Sequence, residues 1–178
     1  MDVLWLTESQ ANTLFKVASD DAPHETCGII AGKGYKAHQI IPVKNIADDS
    51  RHFFTLDPIA MASILPELDD HGLEILAYYH SHPRGKPIPS ETDIANADYG
   101  SVHLIIGLGE KKPELAVWEF HDLRVTRVEL CVGIMQPGKP IPPVSRAQHH
   151  AILITTLIAV VIMLIISLTL LPPAPPLP

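Results

Sequence analysis

The pattern of apolar and polar positions divides the chain into short alternating elements, followed by one long apolar run. Val3–Leu6 predicts a short strand. Thr7 and Gln10 form a capping box for a helix over about residues 8–19, whose Ala11, Leu14, Phe15 and Ala18 fall on one face. Beyond Pro23, Thr26–Ala31 (TCGIIA) reads as a buried strand. Gly32-Lys33-Gly34 then reads as a turn into a second strand, Tyr35–Val43, which makes a hairpin. Asn45–His52 is polar and predicts a loop, and Asp57-Pro58 opens a helix to about Asp70. Leu73–Tyr79 predicts a strand that delivers His80 at its end. Residues 83–89 (PRGKPIP) make a rigid loop, and Ser90 opens a helix through about Asp98. Strands Val102–Leu108, Leu115–His121 and Arg124–Cys131 complete the domain. Apolar strands of this kind need cover, so the expected fold class is α/β, a mixed β-sheet of six to seven strands flanked by helices.

The long run, residues 151–171 (AILITTLIAVVIMLIISLTLL), contains no charge, Gly or Pro. A helix of about 20 apolar residues spans a bilayer core, whereas a buried core helix normally keeps a polar stripe. The expected organisation is a domain over 1–135, a Pro-rich linker over 136–150, a transmembrane helix over 151–171 and a Pro-rich tail over 172–178. Lys139, Arg146, His149 and His150 precede the run and no charge follows it. The opening MDVLWLTESQ lacks the pattern of a secretory signal. Both features orient the expected membrane anchor with its domain in the cytoplasm.

Composition then excludes several classes. The net charge is −7, and the 20 acidic residues end at Glu129, so an acidic domain argues against nucleic acid as a partner. The two cysteines, Cys27 and Cys131, form no C-x-x-C pair, which excludes a disulfide framework and a Cys-rich zinc site. Cys27 reads as a core thiol, and Trp5 and Trp118 as core aromatics. Tyr78 and Tyr79 alternate, so one packs and the other is expected to line the cleft near the residues that carry the chemistry. His24, His52, His71, His103 and His121 show no spacing that suggests ligation.

The chemistry concentrates in HSHPRGKPIPSETD, residues 80–93. In extended backbone, side chains two apart share a face, so His80 and His82 can grip one ion together. Asp93 returns after the Pro-stiffened loop, on the first turn of the next helix. Two imidazoles and a carboxylate suit Zn²⁺. Three protein ligands leave a fourth position for water, whose pKa falls to about 7 on zinc. Glu25, just before a buried strand, is the candidate proton acceptor, though spacing alone does not join it to residues 80–93. Ser90 lies one turn before Asp93 and can cap the helix or donate to a developing oxyanion. Each half has an ordinary reading by itself: a surface H-x-H, or a Ser-x-x-Asp helix start. Their conjunction points to metal-assisted hydrolysis.

HSHP, six residues, then S-x-x-D closely resembles the signature of the JAMM, or MPN-plus, zinc metalloproteases. HETCGIIAG, residues 24–32, is similar to the stretch that bears their catalytic Glu. FFTLDP, residues 53–58, looks like the strand-to-helix turn of compact prokaryotic members. The resemblance covers about residues 5–130 and implies a mixed sheet flanked by helices, related to cytidine deaminases. It implies Zn²⁺ held by His80, His82 and Asp93, with Glu25 as acid/base and Ser90 as oxyanion helper. The implied reaction is hydrolysis of the peptide or isopeptide bond after the C-terminal Gly of ubiquitin-like or sulfur-carrier proteins. The compact domain has little room for the insertions with which eukaryotic members grip ubiquitin, and the C-terminal anchor is not part of the family pattern. The alternatives are a membrane-tethered module that binds ubiquitin-like tails, and a zinc amidohydrolase with another substrate. A deaminase would need H-x-E…P-C-x-x-C, which the chain lacks.

Overall fold

A computed structural model describes residues 1–98, 100–109, 112–121, 124–133 and 163. The elements run in the order β1 (Val3–Leu6), α1 (Glu8–Asp21), β2 (Cys27–Lys33), β3 (Lys36–Val43), α2 (Pro58–Asp70), β4 (Glu74–His82), α3 (Glu91–Asn96), β5 (Val102–Gly107), β6 (Glu114–His121) and β7 (Arg124–Val132). The capping box of α1 forms as the sequence predicts. Thr7 Oγ1 accepts the Gln10 N–H at 3.2 Å, and Gln10 Oε1 accepts the Thr7 N–H at 2.8 Å. The helix buries Ala11, Leu14 and Ala18. In α2 the Asp57 side chain accepts the Ile59 N–H and Pro58 occupies the first turn, again as expected.

The sheet is mixed. Its order is β1-β3-β2-β4-β5-β6-β7, with β4/β5, β1/β7 and β1/β3 parallel and the other neighbours antiparallel. It closes on itself rather than remaining a simple layer. Val3↔Glu129 through Leu6↔Val132 join β1 to β7, and the single pair Trp5↔Lys36 joins β1 to β3. Pairing between the first and last strands leaves no mark on local periodicity, so closure was not legible in advance.

Two apolar clusters explain why β2 reads as a continuous hydrophobic run. Ile30 packs inside with Leu4, Leu14, Tyr79, Leu104, Ile106 and Val117. Ile29 and Ala31 pack on the opposite face against Leu68 of α2, with Met61 and Ile75 at the margin. A strand buried on both faces loses the alternation of a half-exposed one.

Several boundaries differ from the sequence reading. The hairpin turn is Gly34-Tyr35, since Lys33 still pairs with Lys36 and Gly34 takes φ 63°. A two-residue hairpin turn needs positive φ at its start, which Gly supplies. Gly32 lies instead within β2, where an added Cβ would sit 2.1 Å from the Lys36 carbonyl oxygen. β4 runs on through His80 to His82, because its C-terminal end pairs with β5 as far as His82↔Gly107. α3 ends at Asn96, as Ala97 takes an extended conformation (φ −72°, ψ 137°).

Neither tryptophan is fully buried; both use their indole N–H at the domain's edges. Trp5 Nε1 donates to the Gly133 carbonyl at 3.1 Å, and Trp118 Nε1 to the Pro87 carbonyl at 2.9 Å. The second bond helps to seat the loop of residues 83–89. There the Leu108 N–H also donates to the His82 carbonyl (3.1 Å) and the Gly109 N–H to the Gly85 carbonyl (3.0 Å).

The chain divides into units Met1–Met135 and Gln136–Pro178. The expected linker, transmembrane helix and tail fall in the second unit and, Met163 excepted, lie outside the described residues. Among the described residues no helix is long and apolar enough to cross a membrane.

The seating of the loop is open to test at Gly107. A Cβ there would lie 2.6 Å from both the backbone nitrogen and Cδ of Pro87. Gly107→Ala is expected to cost about 1–3 kcal/mol, the usual range for overpacking, and to lower Tm in a thermal melt. A melt identical to wild type would contradict this seating.

Candidate metal centre

Parallel strands β4 and β5 are joined through α3, and the C-terminal end of β4 carries His80 and His82. Crevices at the carboxyl ends of parallel strands, beside such a crossover, are favoured ligand sites in α/β sheets. His80 is fully buried and His82 half-buried. Tyr78, His80 and His82 share one face of β4 by the period of two. This is the face that packs against α2 lower down, at Ile29↔Tyr78.

Asp93 reaches the two histidines from the first turn of α3. Ser90 is the N-cap: its Oγ accepts the Asp93 N–H at 3.1 Å, and Asp93 Oδ2 accepts the Ser90 N–H at 2.7 Å. This reciprocal box holds the carboxylate where it meets both rings. His80 Nε2 lies 3.4 Å from Asp93 Oδ1, His82 Nε2 lies 3.3 Å from Asp93 Oδ2, and the two Nε2 atoms are 3.2 Å apart.

These separations fit a metal ion. A tetrahedral ion bound at about 2.0–2.2 Å has ligand–ligand edges of about 3.3–3.6 Å. The two Nε2 atoms stand 3.2 Å apart, each faces a different oxygen of Asp93 at 3.3–3.4 Å, and one donor atom from each residue lies within 4.8 Å of the others. His82 Nδ1 faces the Lys86 carbonyl oxygen at 3.0 Å. Donation of the Nδ1 proton there leaves the Nε2 lone pair directed at the other donors, the usual way a second partner orients a metal-binding imidazole. Among the described residues, His80, His82 and Asp93 are the group of nitrogen and oxygen donors close enough together to hold an ion.

The register between β2 and β4 brings in Glu25. Cys27 pairs with His80, and the chain stays paired just before it. The Ser81 N–H donates to the Thr26 carbonyl, and the Thr26 N–H donates to Ser81 Oγ, both at 3.0 Å. One further step along the same register sets Glu25 opposite His82. Glu25 is buried, 7 % exposed. Burial pushes its pKa up to about 7; the His82 ring opposes that rise and the Asp93 charge adds to it. The sequence alone could not join Glu25 to residues 80–93, and the strand register does.

Electrostatics separate the two carboxyls. Burial works against ionisation of Asp93 as well, but contacts with His80 and His82 and the Ser90 N–H hold it far below the usual carboxylate range. Burial keeps His80 below its ordinary value despite Asp93. At His82 burial acts in the same direction, yet Asp93, the Lys86 carbonyl and Glu25 together raise it.

The walls of the site are aromatic. Phe54 stacks on His80 with centroids 4.3 Å apart and planes at 13°. His103, on β5 opposite Tyr78, lies edge-on to His80 at 6.1 Å and is buried, with its pKa lowered by burial to about 4. Neither was singled out from sequence as part of the site, since a lone aromatic or His has no spacing to mark it. Cys27 is a core thiol, as expected. It lies opposite His80, burial raises its pKa to about 12, and its Sγ donates to the Val43 carbonyl. His24 contacts Ser50, His52 contacts Asp49, and His71 and His121 lie elsewhere on the surface.

Comparison with known proteins shows the family and the fold. A family model described as prokaryotic homologues of the JAB domain matches residues 7–121. A desampylase from Haloferax volcanii is 39% identical over 94 residues, covering 49% of this chain and 66% of the relative. A probable TtuB-protein conjugate cleaving protease from Thermus thermophilus is 36% identical over 87 residues, covering 49% of this chain and 58% of the relative. The chain thus spans 58–66% of these relatives' own length. A solution structure of a protein from Desulfitobacterium hafniense superposes with a TM-score of 0.67 at 23% identity, over 76% of this chain and 95% of that one, which shows the fold. With the model matching more than half of its length, the chain belongs to the prokaryotic homologues of the JAB domain, a compact prokaryotic branch of the JAMM family.

Proposed function

We propose that this chain is a zinc-dependent peptidase that cleaves the peptide or isopeptide bond after the C-terminal Gly of ubiquitin-like or sulfur-carrier proteins. The observation that carries the reading is the donor cluster of His80, His82 and Asp93 with a carboxyl poised near neutrality at Glu25. The activities named for its relatives, removal of small protein tags from conjugates, support the substrate class.

His80, His82 and Asp93 would hold the ion. When bound, zinc supplies a Lewis acid that acidifies water and polarises the scissile carbonyl. Glu25 accepts a proton from the attacking water at its carboxylate and delivers it to the leaving amine nitrogen as the C–N bond breaks. A pKa near the working pH suits both transfers. The Ser90 Oγ accepts the Asp93 N–H, so the hydroxyl proton stays available to the carbonyl oxygen as it gains charge. Phe54 and His103 line His80 and keep bulk water from its ring. The apolar run 151–171, with Lys139 and Arg146 before it, supports the further reading that the domain is tethered to a membrane on the cytoplasmic side.

The zinc-loaded full chain, incubated with Gly-Gly-terminated fusions, is expected to cut after the second Gly, and a chelator to stop it. Glu25→Ala is expected to retain zinc and lose about 10²–10⁴-fold in kcat, whereas His82→Ala loses stoichiometric zinc together with activity. Cleavage that survives the chelator or Glu25→Ala removes the mechanism. Capture of the fusion without cleavage would favour a binding module, and zinc-dependent hydrolysis of unrelated amides another substrate.

A pH-dependent stability difference is also expected in the metal-free protein. The folded pKa of Glu25 lies above its unfolded value, so charging it opposes folding. That penalty is absent below about pH 4.5 and complete above about pH 7. Glu25→Gln should therefore match wild type in Tm near pH 4.5, exceed it increasingly up to about pH 7 and keep that margin to pH 8. Parallel curves across that range would show that Glu25 is not desolvated.

A further inference from the structure

The segment between β3 and α2 forms the flank of the metal centre next to Glu25, and one side chain organises it. Asn45 uses its whole hydrogen-bonding capacity, two donors and two acceptor positions. Its Nδ2 donates to the Glu25 carbonyl at 2.8 Å and to the Phe53 carbonyl at 3.0 Å. Its Oδ1 accepts the N–H groups of Ala47 and Thr55, each at 3.0 Å. A flipped amide would set its oxygen against two carbonyls and its NH₂ against two N–H groups, so the assignment is unambiguous.

The four bonds do two separable jobs. The accepted pair shapes the loop itself, beside the Ile46–Thr55 backbone bond and the Asn45↔Leu56 bridge. The donated pair reaches out of that framework. One bond grips the backbone of Glu25, whose own N–H donates to the Ser50 carbonyl at 2.6 Å. The other grips Phe53, next to the Phe54 ring that stacks on His80. Glu25 is thus bound through its N–H and its C=O by one loop, and that loop also supplies the wall behind a proposed ligand.

We propose that Asn45 is a positioning residue for the reaction, its side-chain NH₂ fixing the Glu25 backbone and the Phe54 wall relative to one another. The inference rests on the peptidase reading above. Asp at this position can still accept from Ala47 and Thr55 but can donate to neither carbonyl, so it separates the two jobs. Displacement of a catalytic group by an ångström can cost on the order of a hundredfold in rate.

The test compares wild type, Asn45→Asp and Asn45→Ala in the full chain, with zinc content, thermal melts, amide hydrogen exchange and Gly-Gly fusion kinetics. Asn45→Ala should lower Tm and activity together. Asn45→Asp should keep one zinc per chain and slow exchange at Ala47 and Thr55, while the Glu25 amide exchanges roughly tenfold faster or more. Its kcat should fall by about tenfold or more with KM within about twofold. An Asn45→Asp protein with wild-type kcat, or with an unmoved Glu25 amide, overturns the proposal. So does one in which Ala47 and Thr55 lose protection as they do in Asn45→Ala, because the role would then be structural alone. The exchange measurement needs no substrate: failure of the peptidase reading shows as an inactive wild type, and failure of this inference as an unchanged Glu25 amide.

Discussion

The candidate metal centre depends on the register between β2 and β4, and the reciprocal hydrogen bonds between Thr26 and Ser81 hold that register at its open end. A slip of one residue would send every side chain of a strand to the other face. His80 would then point into the interior with Leu104 and Ile106, and Glu25 would turn away from His82. Ser81 is small and polar because it is the residue between the two histidines. Its face is the buried one, and its hydroxyl satisfies a backbone N–H that the end of β2 would otherwise leave without a strand partner. The loop of residues 83–89 and the cap of α3 then carry the chain from a fixed point, so Asp93 returns to a defined place.

Two carboxyls in one cleft meet the same burial and are separated by their contacts. Asp93 has two imidazoles and a backbone N–H to compensate its charge and stays ionised. Glu25 has the His82 and His52 rings on the favourable side and the Asp93 and Asp49 charges against it, so desolvation dominates. That division yields one group suited to holding a cation and one suited to exchanging a proton near neutral pH, without any difference in intrinsic chemistry between them.

How much of this could be read beforehand follows from the range of the signals involved. The H-x-H pair and the Ser-x-x-Asp cap are local, and their geometry is set by strand and helix periods, so His80, His82, Ser90 and Asp93 were identifiable from spacing. The α1 box at Thr7 and Gln10 and the start of α2 at Asp57-Pro58 were legible for the same reason. Glu25 was reachable only by resemblance, because its link to His82 passes through cross-strand pairing. Asn45, Phe54 and His103 act through contacts distant in sequence, and an Asn within a polar loop looks like any other. Trp118 misled for a related reason: its indole reads as a core aromatic until the Pro87 carbonyl is seen beside it. The turn at Gly34 was misplaced by two residues because Gly32 offers the same local cue, although it serves a tight strand crossing.

The closure of the barrel at Trp5↔Lys36 also bears on how the molecule avoids its own copies. β1 spans four residues and meets β3 at one pair, so most of β3 turns its outer side away from any sheet partner among the described residues. A bare strand edge is a template for pairing between molecules. Here Gln10 of α1 donates to the Ala37 carbonyl, covering the start of that edge, and Pro42 brings no N–H to its far end. Lysines at 36 and 44 stand at its two ends. The seam that lets the sheet close around its core thus carries features that disfavour edge pairing, supplied by the same few residues that finish the barrel.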